Sequence, residues 1–157
     1  MPPALLFDLS GIDLNRVLYD REAIRQVNLQ RYEFEMLDGI CWVDEPAGRI
    51  VGFKDVRADE FWVRGHIPGR PLFPGALQIE AAAQISSFFT TKVMGWQGFL
   101  GFGGVDEVRF RGQVVPGQRL YLLAERQWAR HRRVQCKTQG LVDGQLVFEG
   151  LITGVLL

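Results

Sequence analysis

Three prolines, Pro68, Pro71 and Pro74, recur at every third position and run directly into an apolar stretch that ends near Met94. Proline fixes its own φ, lacks an N–H, and drives the residue before it out of the helical region. The segment is thereby barred from regular helix and from a central strand, and a stiff, extended loop is expected. Proline suits the first helical position, where its missing N–H would have no partner. The spacing therefore predicts a helix over about residues 74–94, with Gly95 as its stop. Ala76, Leu77, Ile79, Ala81, Ala82, Ala83, Ile85, Phe88, Phe89 and Val93 make it apolar on nearly all sides, so burial is expected. Its polar residues Glu80, Gln84, Ser87 and Thr91 are spaced to share one face.

Strand signals flank this helix on both sides. Before it, 34–43 and 49–56 are strand-like, and Asp44-Glu45-Pro46-Ala47-Gly48 between them has turn chemistry, which predicts a hairpin. After it, strands are expected over 99–111, 119–128, 132–142 and 145–154, with Asp143-Gly144 as a two-residue hairpin turn. Asp20 has the character of a cap for a short helix over 20–27. Residues 1–19 read as a weakly structured lead-in. Two strands, one buried helix and a run of long strands predict an α+β fold, a curved antiparallel sheet wrapped around a central helix. One domain over 1–157 is expected, without internal repeats.

Charge narrows the partners. Eighteen basic residues balance eighteen acidic ones, which gives no support for nucleic acid or an anionic membrane as the main partner. No segment approaches the ~20 apolar residues that span a bilayer, so no membrane insertion is expected. Met1-Pro2-Pro3 lacks the positive region of a secretion signal, and Cys41 and Cys136 stand far apart, which together read as a cytoplasmic protein with reduced thiols. Two histidines and no clustered acids predict no metal.

The same proline loop carries the candidate chemistry. His66 opens it, and Glu80 is the single carboxylate on the helix that follows, so the two fall within fifteen residues. Imidazole is the side chain best matched to base duty near neutral pH. A carboxyl on an apolar helix is desolvated, which favours its protonated, proton-donating form. Between them, Gly75 offers an N–H at a helix N-terminus, where developing negative charge is stabilised and a ligand can approach the backbone closely. Gln84, one turn beyond Glu80, is spaced to orient that carboxylate, or to face a water-lined channel. Gly98-Phe99-Leu100-Gly101-Phe102-Gly103-Gly104 opens no helix and is not a nucleotide loop; close packing on the central helix or an acyl channel is the better reading. Ser86-Ser87 lacks an elbow motif and a nearby base.

The run from His66 through Gly75 to Glu80 and Gln84 resembles the active-site motif of the (3R)-hydroxyacyl-acyl-carrier-protein dehydratases of hot-dog fold. Gly104–Phe110, Val114–Gly117, Leu141–Glu149 and Arg31-Tyr32 with Asp38 resemble further stretches of that family, over roughly residues 28–154. The resemblance implies a hot-dog fold and reversible dehydration of 3-hydroxyacyl-acyl-carrier-protein to the trans-2-enoyl thioester, without a cofactor. It implies His66 as base, Glu80 as acid and Gly75 as oxyanion donor, with Gln84, Phe73, Phe99 and Phe102 against the substrate. It further implies an acyl carrier protein bearing the substrate on phosphopantetheine, and a homodimer in which each site takes its histidine from one subunit and its carboxylate from the other. Further assembly into trimers of dimers is common in the family. An acyl-thioesterase and a non-catalytic acyl-binding subunit are the alternatives on the same fold. The chain departs from the pattern at Leu29-Gln30, where the family has Pro-His, at Glu33, where it has Pro, and at Leu100-Gly101-Phe102, where a tyrosine is frequent. A basic run at Arg126, Arg130, His131, Arg132, Arg133 and Lys137 is a solvated turn or a carrier dock, with Arg64 and Arg70 competing for that second role.

Overall fold

The computed structural model describes residues 3–157, so the first two residues of the expected lead-in lie outside it. Chain order is β1 (Tyr19–Asp20), α1 (Arg21–Arg25), β2 (Gly39–Asp44), β3 (Arg49–Asp55), α2 (Gly75–Phe88), β4 (Leu100–Phe110), β5 (Arg119–Arg130), β6 (Arg133–Val142) and β7 (Gln145–Leu156). The strands form one antiparallel sheet in the order β1-β2-β3-β5-β6-β7-β4. Helix α2 lies against one face of it.

Alternation along the strands decides which side chains meet the helix. On β5, Leu120, Leu122 and Ala124 join the core under α2, while Leu123 between them packs in a second cluster on the opposite face. On β3, Ile50 belongs to the helix side and Val51 and Phe53 to the other. Gly52 lets helix and sheet approach. A Cβ there would come within 3.0 Å of Ile85 Cδ1 and 2.9 Å of the Gly39 carbonyl oxygen.

The opposite face is covered by the chain's own beginning. Residues 3–18 form no helix or strand, yet Phe7 is buried there with Cys41, Phe53 and Leu141. Gln139 ties the segment down, accepting the Leu6 N–H at 2.9 Å and donating to the Ala4 carbonyl at 3.0 Å. The lead-in is irregular but packed.

The hairpin of β2 and β3 forms as expected, and so does the one at Asp143-Gly144, whose two residues have φ of 49° and 75°. Asp20 caps α1 by accepting the Ala23 N–H at 2.9 Å. The expected strand from residue 34, however, begins only at Gly39, and Tyr32–Phe34 form a 3-10 turn. Gln84 is the cause. Its side chain accepts the Met36 N–H at 2.9 Å and donates to the Phe34 carbonyl at 2.7 Å, so that backbone bonds a helix side chain instead of a strand.

Helix α2 also differs from expectation in three respects. Pro74 is its extended cap, and Gly75 is its first residue. Its last turn widens into a π-helix at Phe89–Val93 before Gly95, at φ 77°, ends it. It is not enclosed on all sides. Ala81, Ala82, Ile85 and Phe88 are fully buried against the sheet, but Ala76 is exposed and Leu77, Ile79 and Ala83 are half-buried. Glu80 and Gln84 share one face as expected, their side chains hydrogen-bonded at 2.8 Å, but at Gln84 that face is covered by the 34–36 segment. The glycines near residue 100 pack on β7 and not on the helix: a Cβ at Gly103 would lie 2.6 Å from Val155.

Candidate active site

His66 stands on the 56–74 loop between β3 and α2, and hydrogen bonds within the loop hold its shape. The His66 N–H donates to the Trp62 carbonyl at 2.8 Å and its carbonyl accepts the Leu72 N–H at 2.9 Å. Ile67 and Arg70 exchange backbone bonds at 3.2 and 2.8 Å, closing a small turn at the tip. The ring nitrogen Nδ1 lies 2.8 Å from the Leu72 carbonyl oxygen. A carbonyl only accepts, so Nδ1 carries the proton and Nε2 keeps a free lone pair in the neutral ring. That is the tautomer of a base. The imidazole itself is exposed.

Gly75 starts α2 a short way off. The helix N-terminus leaves its N–H, and that of Ala76, without an acceptor among the described residues. His66 and Gly75 line one cavity of about 330 Å³, together with Phe73, Gln78 and Phe110. The ring of Phe110 sits so close that a Cβ on residue 75 would meet its Cζ at 2.7 Å. A side chain there would require the ring to move. Phe73 is buried against Trp62, with ring centroids 5.4 Å apart.

Glu80 occupies a different cavity, of about 160 Å³, whose lining includes Ala83, Ser87, Phe99, Phe102 and Cys136. Its Oε1 accepts a 2.8 Å hydrogen bond from Gln84 Nε2. Gln84, held on its other side by residues 34 and 36, thus fixes the direction of the Glu80 carboxylate. Phe99 and Phe102 are each 51% exposed. Burial pushes the Cys136 thiol up to about 11, so near neutral pH it lines the cavity as a small neutral group and not as a nucleophile. Ser86 Oγ donates to the Ala82 carbonyl at 2.8 Å and is committed to its helix.

The seven candidate residues therefore divide. His66, Gly75 and Phe73 share one cavity; Glu80, Phe99 and Phe102 share the other, with Gln84 behind it; no residue lines both. Helix geometry explains the division. Five residues advance Glu80 roughly 7.5 Å along the axis and about 140° around it from Gly75. Phe110 and the Leu72 carbonyl were invisible as site components in the sequence, because their roles depend on contacts across the fold.

A sheet order that leaves β4 at the edge, a helix against one face, and a proline loop delivering histidine to the helix N-terminus define a hot-dog domain. The family model described as a FabA-like domain matches residues 28–150, and the chain belongs to that family. Among curated relatives it is 40% identical over 109 residues to the 3-hydroxyacyl-[acyl-carrier-protein] dehydratase FabZ of Desulforamulus reducens, covering 69% of this chain and 76% of that protein. The same enzyme of Moorella thermoacetica is 43% identical over 107 residues, covering 68% and 74%. Among solved structures, the dehydratase heterocomplex ApeI:P of Xenorhabdus doucetiae superposes with a TM-score of 0.70 over 85% of this chain and 90% of that one; at 14% identity this is a likeness of fold. No helix among the described residues is long and apolar enough to cross a membrane.

Proposed function

We propose that the protein is a hydro-lyase that interconverts (3R)-3-hydroxyacyl and trans-2-enoyl thioesters carried by an acyl carrier protein, with each active site built from two subunits. His66 Nε2 takes the C2 proton. Charge gathering on the thioester oxygen is met by the Gly75 N–H. The protonated Glu80 carboxyl of the other subunit gives its proton to the C3 hydroxyl, which leaves as water, and Gln84 keeps that carboxyl aimed. One proton is taken and one given, so no electron carrier is needed. Phe73, Phe99 and Phe102 would pack on the acyl chain.

The observation that carries this reading is the course of β4 past both cavities. Its Phe110 end lines the His66 cavity and its Leu100–Phe102 end lines the Glu80 cavity. It is also an edge strand with an unpaired side. A second copy added antiparallel along that edge, across a two-fold axis, would set the His66 end of one chain against the Glu80 end of the other. It would also cover the apolar helix face left open at Ala76, Leu77 and Ile79.

For the carrier, Arg64 and Arg70 are both exposed on the His66 loop, and Arg130–Arg133 form the tip of the β5–β6 hairpin beside Leu156, at the Glu80 end of β4 that the proposed two-fold axis sets against the His66 end of the other chain. We assign carrier docking to Arg64 and Arg70, which stand on the same loop as the proposed base. Charge reversal there is expected to impair carrier-bound substrate more than its coenzyme A analogue; equal loss on both removes the assignment. The buried free thiols of Cys41 and Cys136 suit a cytoplasmic setting.

The deciding assay supplies crotonyl and 3-hydroxybutyryl thioesters, on coenzyme A and on carrier, and follows enoyl absorbance and free thiol together. Hydration and dehydration without thiol release are expected. Thiol release without hydration would make the protein a thioesterase, and inactivity on all substrates an acyl-binding subunit.

A further inference from the structure

Lys54 is 1% exposed, and its Nζ lies 2.8 Å from Oε1 of Glu60, whose side chain is 6% exposed. Among the described residues this is the one ion pair with both side chains enclosed; every other has a partner at least one-third exposed. Taking two charges out of water is costly, and an apolar pair of similar volume is frequently as stable or more so. Stability alone therefore gives weak reason for the pair. Its position suggests a better one.

Lys54 sits near the end of β3, just before the loop that presents His66. Glu60 lies on the first limb of that loop, where its Oε2 also accepts the Arg57 N–H at 2.8 Å and its carbonyl accepts the Val63 N–H at 3.1 Å. Two residues on, the Trp62 carbonyl holds the His66 N–H. On the returning limb, the Lys54 ammonium stands 5.5 Å from the ring centroid of Phe73, next to Leu72, whose carbonyl holds the His66 ring. One buried cation thus grips both limbs of the loop, and each limb supplies one of the two carbonyls that bond His66.

We propose that Lys54 and Glu60 are positioning residues that set the direction of the His66 imidazole. The proposal rests on the reading of His66 as the base. Neither residue lines the His66 or the Glu80 cavity, so they act through the loop and not on substrate. Misplacing a reacting group by about 1 Å can cost on the order of a hundredfold in rate, so a small drift of this loop would be visible in kcat.

The test uses the K54M/E60M double variant, which exchanges the ion pair for apolar chains of similar length, and E60Q, which keeps the shape and removes the negative charge. Wild type and H66A are assayed beside them; an H66A variant as active as wild type would sink the dehydratase reading itself. The double variant is expected to keep its Tm, to lose roughly tenfold to a hundredfold in kcat, and to keep its KM. E60Q is expected to lose less. With only two histidines in the chain, the hydrogen-bonded Nδ1 proton of His66 is assignable by NMR, and its resonance should shift or broaden in the double variant. A double variant with wild-type kcat and an unmoved His66 resonance overturns the proposal. So does one that fails to fold, or whose activity loss only tracks its folded fraction, since the pair would then serve the fold alone.

Discussion

The two cavities beside helix α2 are built differently. The His66 cavity is finished within one chain: Nδ1 is held by the Leu72 carbonyl, the Gly75 N–H is free, and Phe110 closes the wall. The Glu80 cavity has an oriented carboxylate but no base, and its aromatic walls Phe99 and Phe102 are half open. Each holds what the other lacks. On the proposed reading, acid and base stand apart in one subunit and would be joined by its pairing with a second.

The sharpest way to break this comparison is to remove one group from each cavity. His66→Ala and Glu80→Gln are each expected to lower kcat by about 10²–10⁴-fold, with little change in the urea midpoint, since His66 is exposed and Glu80 half-buried. Mixing the two dead proteins under conditions that exchange subunits then becomes decisive. Each mixed dimer of the proposed kind holds one intact site, so activity should return to roughly a quarter of wild type at statistical exchange. No recovery after demonstrated exchange would mean that acid and base work within one chain.

A smaller effect is expected at the wall of the His66 cavity. Gly75→Ala places a methyl 2.7 Å from Phe110 Cζ, and overpacking of this kind costs about 1–3 kcal/mol. The ring or the helix start must shift, which displaces the N–H assigned to the oxyanion. Activity should fall, and Phe110→Leu in the same chain should recover stability, both readable in kcat and a urea curve. Full activity in Gly75→Ala alone would mean that the Phe110 ring gives way and the N–H stays in place.

Gln84→Leu tests the support of the Glu80 cavity. It strips the buried Met36 N–H of its acceptor, at a cost of about 1–3 kcal/mol, and frees the Glu80 carboxylate to rotate. The expected result is a lower urea midpoint with kcat reduced less than in Glu80→Gln. The smallest effect concerns the thiols. Burial raises Cys136 and Cys41 from 9.0 to about 11, so the unfolded chain loses these protons first as pH rises. Their contribution to stability is complete below pH 9 and is lost between pH 9 and 11. Urea midpoints across that range should decline, and thiol reagents should react at a rate set by unfolding.

Much of this fold was written in local pattern. The alternation of Leu120, Leu122 and Ala124 against Leu123, the Asp143-Gly144 turn and the Pro74 boundary each act over a few residues, so they are legible one segment at a time. The strand expected from residue 34 failed for the opposite reason. Its backbone bonds go to Gln84, 48 and 50 positions away, and no periodicity near residue 34 reports that. The apolar helix misled in the same manner, because its composition shows that its faces must be covered without showing which are covered by this chain.

The sequence by itself determined the candidate groups and the loop that carries His66, because proline, glycine and histidine impose their chemistry wherever they stand. Only the tertiary structure decided which groups share a cavity. Five residues along a helix turn two side chains away from each other, and the sheet then walls them into separate spaces. Proximity in the chain brought His66 and Glu80 onto one motif, and the geometry of the helix kept them from meeting within it.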